Sequence, residues 1–255
     1  MKFTGRLHLA EGWNFFAVYS KNIQQDFDTI RGPNSHLHHV RSEINKYLVY
    51  GKTGLESLIL ERMGGWGSSF YYRAYGGVLE EMFTGGGFEA LFRPFRSRVG
   101  VGLAVNGIQQ RDYYRGFGTR DYRTTTSFLS LYYGSAFYDF DFAIHLGRYL
   151  ARDTGITYEA RRTFDNGFQI GAFFTRTNVS ARMFGEGSFD KGLIFRFPFN
   201  AFLPGNTRAR YSTTLRPLER DGGRRLQGYG GHLWWDLRTS RYDALERNKL
   251  RMVPR

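Results

Sequence analysis

A chain of 255 residues is long enough for one closed domain, but a soluble enzyme with 18% aromatic residues would carry more Leu, Ile and Ala, and here mean hydropathy is −0.46. No stretch approaches the ~20 consecutive apolar residues of a membrane helix, which excludes a helical membrane protein but not a β-barrel, whose strands hide their hydrophobicity by alternating. The formal charge of +13 first suggests nucleic acid, yet the arginines alternate with apolar residues instead of forming one stripe, so no nucleic-acid partner is expected.

The chain opens with Met1-Lys2-Phe3-Thr4-Gly5-Arg6, without the apolar run of a secretory signal. A barrel must be exported, so the expectation is a mature product or part of a longer precursor. The absence of cysteine suits an oxidising envelope compartment. Period-two alternation then predicts about twelve strands, at 3–19, 54–62, 69–80, 86–94, 98–110, 122–133, 137–148, 154–163, 167–177, 192–202, 207–217 and 230–238. Between the first two, Val40, Ile44, Tyr47 and Leu48 are spaced as a short amphipathic helix near 40–50 that Gly51 could end, inside a long loop over 20–53.

The alternation is explicit in the middle of the chain. Val99, Val101, Leu103 and Val105 oppose Gly100, Gly102, Ala104 and Asn106, and Tyr138, Phe140, Phe142, Ile144 and Leu146 oppose Asp139, Asp141, Ala143 and His145. Ile156, Tyr158 and Ala160 oppose Thr157, Glu159 and Arg161, while Phe168, Ile170, Ala172 and Phe174 oppose Gln169, Gly171, Phe173 and Thr175. Leu193, Phe195, Phe197 and Phe199 oppose Arg196, and Ala209, Tyr211, Thr213 and Leu215 oppose Arg208, Arg210, Ser212, Thr214 and Arg216. Most strands have about 9–12 residues, the length a tilted strand needs to cross a bilayer.

Connections sort by length. Short ones carry turn chemistry, as in Arg96-Ser97, Gly134-Ser135-Ala136, Asp165-Asn166-Gly167 and Pro204-Gly205-Asn206. The alternate set includes the long ones, 20–53, 111–121, 178–191 and 218–229. Short turns on one rim and long loops on the other distinguish a barrel from a sandwich. The expectation is a single all-β domain over 1–255, an antiparallel transmembrane β-barrel of about twelve strands with a C-terminal tail at 239–255.

Motifs for chemistry are sparse. His36, His38 and His39 lie in a polar loop without cysteines and read as solvated. Asp141 and His145 share a strand face but stand ~13 Å apart along it, too far to pair directly. Gly64-Gly65-Trp66-Gly67 reads as a turn, since no helix pattern follows it. No Gly-x-Ser-x-Gly elbow or zinc spacing occurs, and no catalytic residue or cofactor is expected. The inward polar set is more informative: Arg73, Glu89, Arg93, Asp139, Asp141, His145, Glu159, Arg161, Arg196, Arg208, Arg210 and Arg216. These residues could pair across strands and plug a narrow interior. They could instead form a basic path for an anionic or heavily hydroxylated polymer, since arginine offers a planar fork of donors and Tyr71 and Tyr75 could face sugar rings. The long-loop rim collects Arg111, Asp112, Arg120, Asp121, Glu186, Asp190, Lys191, Arg220 and Asp221. An enzyme would need Glu186 and Asp190 to converge with Asp112 or Asp221, but loop acids near arginine are more often structural ion pairs.

Several runs carry a family resemblance: Leu79-Glu80-Glu81-Met82-Phe83, Phe92-Arg93-Pro94-Phe95, Gln110-Arg111-Asp112-Tyr113, Arg120-Asp121-Tyr122, Gly147-Arg148-Tyr149-Leu150, Phe164-Asp165-Asn166-Gly167 and Leu215-Arg216-Pro217-Leu218-Glu219-Arg220-Asp221-Gly222-Gly223. The most specific is Phe184-Gly185-Glu186-Gly187-Ser188-Phe189-Asp190-Lys191-Gly192. In this order they resemble the YjbH family of outer-membrane exopolysaccharide-biosynthesis proteins over nearly the whole chain. The resemblance implies an outer-membrane location and a role in making, exporting or organising capsule-like or biofilm polysaccharide. The implied partners are outer-membrane lipid, polysaccharide and other envelope proteins of an exopolysaccharide operon. Family members are typically much longer and begin with a lipoprotein signal, so this chain looks like their C-terminal barrel portion. The family supplies no established catalytic residues.

Overall fold

The computed structural model describes residues 1–21, 36–184, 189–199, 210–217, 220–242 and 244. Twelve strands form one antiparallel sheet in which every neighbour in sequence is a neighbour in space. They are β1 (Lys2–Ala10), β2 (Trp13–Lys21), β3 (Thr53–Trp66), β4 (Phe70–Val78), β5 (Phe83–Phe92), β6 (Val99–Arg111), β7 (Thr119–Gly134), β8 (Phe140–Arg148), β9 (Thr154–Thr163), β10 (Gln169–Thr177), β11 (Asp190–Pro198) and β12 (Arg210–Leu215). Short helices α1 (Ile44–Tyr50), α2 (Ala181–Phe184) and α3 (Leu233–Asp236) interrupt the connections and the C-terminal segment. Among the described residues β1 pairs with β2 alone and β12 with β11 alone, so no pairing between β1 and β12 is described.

The two-residue rhythm appears directly as exposure. On β6, Val99, Val101, Leu103 and Val105 are 41–50% exposed, while Gly100, Gly102, Ala104 and Asn106 between them are buried. Register extends this into a belt: Leu103 sits opposite Leu129, which sits opposite Leu146, which sits opposite Ile156. Exposed aromatics bracket the belt. Trp66, Phe70, Phe92, Phe95, Phe137 and Tyr138 lie at or near the ends joined by short turns, and Tyr19, Tyr50, Tyr114 and Phe117 lie at the opposite rim.

Two strand expectations are corrected, and the count survives because the errors offset. The segment 3–19 is not one strand but the hairpin β1–β2, turning at Glu11-Gly12. Gly12 has φ +74, and a Cβ there would lie 2.3 Å from the Met63 carbonyl oxygen, so only glycine fits. The segment 230–238 is not a strand; it contains α3 and the start of a 3-10 turn at Arg238–Ser240. The helix expected near 40–50 is present, with Tyr47 fully buried and the Gly51 N–H closing it onto the Tyr47 carbonyl at 3.0 Å.

The C-terminal segment decides where the core lies. Leaving β12 at the long-loop rim, the chain turns inward and runs through the concave side of the sheet to the short-turn rim. Near the first rim the Leu150 N–H donates to the Arg224 carbonyl (2.9 Å), and at the second Tyr242 packs on Phe95 and under Arg96. One apolar cluster joins Val40, Tyr47, Tyr75, Met82, Phe83, Leu150, Leu226 and Tyr229. A second joins Leu91, Tyr132 and Ala143 to Leu233, Trp234 and Trp235, with the Trp234 ring stacked on Tyr132 at 5.1 Å. The interior is therefore packed rather than simply hydrophilic.

Replacing fully buried Trp234 by alanine removes the aromatic that fills this lower cluster and should cost about 3–5 kcal/mol. Urea unfolding in detergent measures it, and a wild-type midpoint would refute the packing described.

Candidate functional site in the sheet interior

Carboxylates on the inner face hold the C-terminal segment. Glu89 on β5 accepts the N–H groups of Gly230, Gly231 and Leu233 and a charged bond from Arg73 at 2.8 Å. Gly230 and Gly231 have φ of +87 and +97, the left-handed geometry that lets consecutive N–H groups converge on one anion. Arg73 on β4 also reaches Asp236 at 3.0 Å and Glu61 at 3.7 Å and lies over the Tyr229 ring. Nearer the short turns, Asp141 on β8 receives Arg238 at 2.6 Å and Arg241 at 2.5 Å. At the long-loop rim, buried Asp221 accepts the backbone N–H groups of Val40, Arg41 and Ser42 at 2.9, 2.9 and 3.0 Å and contacts His39 at 3.1 Å.

The remaining inward residues divide. Glu159 pairs with its strand neighbour Arg161, with Arg225 at 3.1 Å and with His145 at 3.6 Å. His145 also bonds Ser130 at 2.7 Å, so Asp141 and His145 serve separate contacts. Arg161 lies over Trp235, and Arg93 donates to the Leu237 carbonyl at 3.3 Å. Asp139 is corrected: it belongs to the β7–β8 turn, with φ +57, not to the inner face of β8. Tyr75 is covered by Tyr229, ring centroids 4.0 Å apart, and presents no open face to a sugar. Tyr71 lies under Arg93. Arg208 and the side chain of Arg210 fall outside the described residues, as do Glu186 and the Pro204-Gly205-Asn206 turn.

At the rim, buried Arg111 donates to the carbonyls of Leu55, Glu80, Glu81, Arg115 and Gly116, at 2.8–3.2 Å, and so ties the β4–β5 and β6–β7 connections to the start of β3. Asp112 caps the Tyr114 N–H at 3.1 Å, Arg120 reaches Glu43 at 3.2 Å, and Asp121 is exposed. Asp190 is buried between Arg216 and Arg224, each at 3.4 Å; Lys191 lies over Phe189 and Arg220 over Phe184. Asp112, Asp190 and Asp221 thus hold separate structural contacts. The loop histidines are also not simply solvated, since His38 stacks on Tyr122 at 3.5 Å while His39 engages Asp221. No group of three metal-ligating side chains converges among the described residues.

Beside the C-terminal segment one space stays open. A cavity of about 550 Å³ runs between residues 223–228 and the inner face of β10–β12, lined by Arg41, Arg161, Arg196, Arg216, Arg224 and Arg225. Arg161, Arg196 and Arg216 follow from strand parity. Arg41, Arg224 and Arg225 do not, because they come from a loop and from the returning segment. The paired glycines at 222–223 and 230–231 were the available signal for that return.

Burial pushes the Tyr47 hydroxyl up to about 12. For Glu43, burial alone would raise the carboxyl, but bonds from Lys46, Tyr113 and Arg120 outweigh it and hold the group below the ordinary glutamate range.

The YjbH family, described as exopolysaccharide biosynthesis protein YbjH, matches residues 1–238. The chain is also similar to an uncharacterized lipoprotein YjbH of Escherichia coli (strain K12), 36% identical over 223 residues. That match covers 86% of this chain and 32% of the relative, so the chain spans about a third of the relative's length. No solved structure matches.

Two outcomes follow from these contacts. Asp141→Ala leaves Arg238 and Arg241 without their shared carboxylate and should cost about 3–5 kcal/mol; limited proteolysis should then cut within 220–244, and unchanged resistance would show that Asp141 is not an anchor. Because the folded Glu43 carboxyl is depressed, its contribution is present above the unfolded value of about 4.3 and fades as pH falls through the lower folded value. Glu43→Gln should therefore flatten the acid limb of a stability–pH curve below about pH 4.3, and an identical limb would contradict this.

Proposed function

Because the chain belongs to the YjbH exopolysaccharide biosynthesis family, we propose that it serves polysaccharide secretion at the bacterial outer membrane, as a barrel-type unit plugged by its own C-terminal segment. The observation that carries this is the sheet's two-sidedness: an apolar belt between aromatic girdles outside, and a segment clamped by Glu89, Asp141 and Asp221 inside. That exterior is the pattern of strands crossing lipid, where aromatic rings settle at both interfaces. No helix among the described residues is long and apolar enough to cross a membrane, so crossing would fall to strands. The relative's name as a lipoprotein agrees with an envelope location.

Of the two interior readings, open path and plug, the clamped segment favours the plug. The protein then anchors a secretion assembly with its exposed rim, where Tyr50, Tyr114 and Phe117 are 56–77% exposed, rather than acting as an open pore. Other envelope proteins of the same export system are the partners this reading calls for. It assigns no reaction, since rim acids Asp190 and Asp221 are held by arginines and backbone N–H groups.

Reconstitution in planar bilayers tests the reading. The wild type should insert and pass almost no current, and Asp141→Asn should give intermittent openings as the lower anchor loosens. Steady large conductance from the wild type would overturn the plug, and failure to fractionate with outer membranes would overturn the location.

A further inference from the structure

We propose that the outer face of β8–β11, at the long-loop rim, is a binding site for a lipid with an anionic phosphate headgroup. Arg148, Arg176 and Lys191 take the phosphate, and a hollow beside them takes an acyl chain. The proposal rests on the membrane reading of the exterior and adds to it a place and a headgroup chemistry. An apolar belt alone accepts any lipid, but two features of this stretch discriminate.

The first is a row of cations along the rim. Arg148 ends β8, and Arg176 and Lys191 each stand one residue from the rim end of β10 and β11. Their strands step together: Arg148 lies opposite Thr154, Arg176 opposite Ile156, and Lys191 opposite Phe174, which in turn faces Tyr158. The three therefore follow the rim instead of scattering along the strands. All are exposed, and they share strand parity with Leu146, Phe174 and Leu193, so they leave the sheet on its apolar side. The acids of the same strands go the other way, since Asp141, Glu159 and Asp190 are buried on the inner face. Long basic side chains just above an apolar surface carry their charge to the level of lipid headgroups.

The second is a hollow next to that row. Ala172 on β10 lies opposite Ala160 on one side and Leu193 on the other, and Leu193 lies opposite Leu215. Two adjacent alanines leave the outer surface low there, while Phe174, stacked on Tyr158 at 4.8 Å, and Phe189 stand on the rim side. Among the described residues the space measures about 710 Å³ and is lined by Ala172, Phe174, Phe189, Leu193 and Leu215, within the ~300–1,000 Å³ of small-molecule sites. Lys191 borders it and lies over the Phe189 ring at 5.1 Å. Apolar walls with a cation at the mouth match an amphiphile. A free anion would leave the walls uncovered, and an uncharged chain would leave the cations unused. Arginine's fork suits two phosphate oxygens at once, with lysine as a point charge beside it.

The test is native mass spectrometry of the detergent-solubilised chain, offered equal amounts of dioleoylphosphatidylglycerol and dioleoylphosphatidylcholine. The chain should retain phosphatidylglycerol in preference to phosphatidylcholine. Arg176→Gln combined with Lys191→Gln should lower that retention about 10-fold or more. Ala172→Trp, which fills the hollow, should lower it with every charge in place. Unfolding midpoints without lipid show whether each variant is folded, and Arg148→Gln replaces the charge pair if that variant is not. Equal retention of the two lipids, displacement of phosphatidylglycerol by an equal concentration of inorganic phosphate, or indifference to either the charge variant or the filled hollow would each overturn the proposal. Because both lipids are offered in detergent, a missing preference leaves membrane fractionation and bilayer insertion to judge the outer-membrane reading separately.

Discussion

The structure turns on buried carboxylates that would be intolerable alone. Glu89, Asp141 and Asp221 are almost entirely shielded from water, and an isolated ionised carboxylate in such a place costs several kcal/mol. In each case the C-terminal segment is one side of the bargain. It brings three N–H groups to Glu89 and two guanidiniums to Asp141, and it contributes Asp221 itself to the N–H groups of 40–42. Sheet curvature and segment position are thus mutually dependent: flattening the sheet would pull Arg73 on β4 and Arg161 on β9 away from α3, which they grip from different strands.

A sheet that meets two environments must sort its side chains by parity, since consecutive residues face opposite sides. Here the outer face is apolar along the strands and carries exposed aromatics at both rims, whereas the inner face mixes glycine, charge and buried aromatics. Glycine on the inner face has a packing reason. A Cβ on Gly100 would meet the Trp234 ring at 2.7 Å, so the strand makes room for the segment lying on it. The concave side is built as a bed for residues 220–242, and among the described residues a cavity lies along β10–β12.

Holding is not uniform across the sheet. The lower cluster and the carboxylate anchors immobilise the segment against β4–β9, where apolar packing and ion pairs act together. Along β10–β12 apolar packing is thinner and arginine dominates. An interior of this kind holds its own shape through the segment that covers it.

What could be read from the residues is what depends on local chemistry. The period-two rhythm made β4, β5, β6, β8, β9 and β10 legible with their inward faces, and so placed Arg73, Glu89, Asp141, Glu159 and Arg161 on the correct side of the sheet. The same rhythm misled at both ends. It runs unbroken through the tight turn at Gly12, and the aromatics of 230–238 look like a strand although Trp234 and Trp235 point into one cluster. Asp139 followed parity on paper, but the turn takes it first. Only the tertiary structure could pair Glu89 with Gly230 or Asp141 with Arg241, residues 141 and 100 positions apart. Alternation reports which face a side chain takes and is silent on what will cover that face. The cover here is a chain reversal whose only local mark is a few glycines, and its position is set by long-range charge and packing.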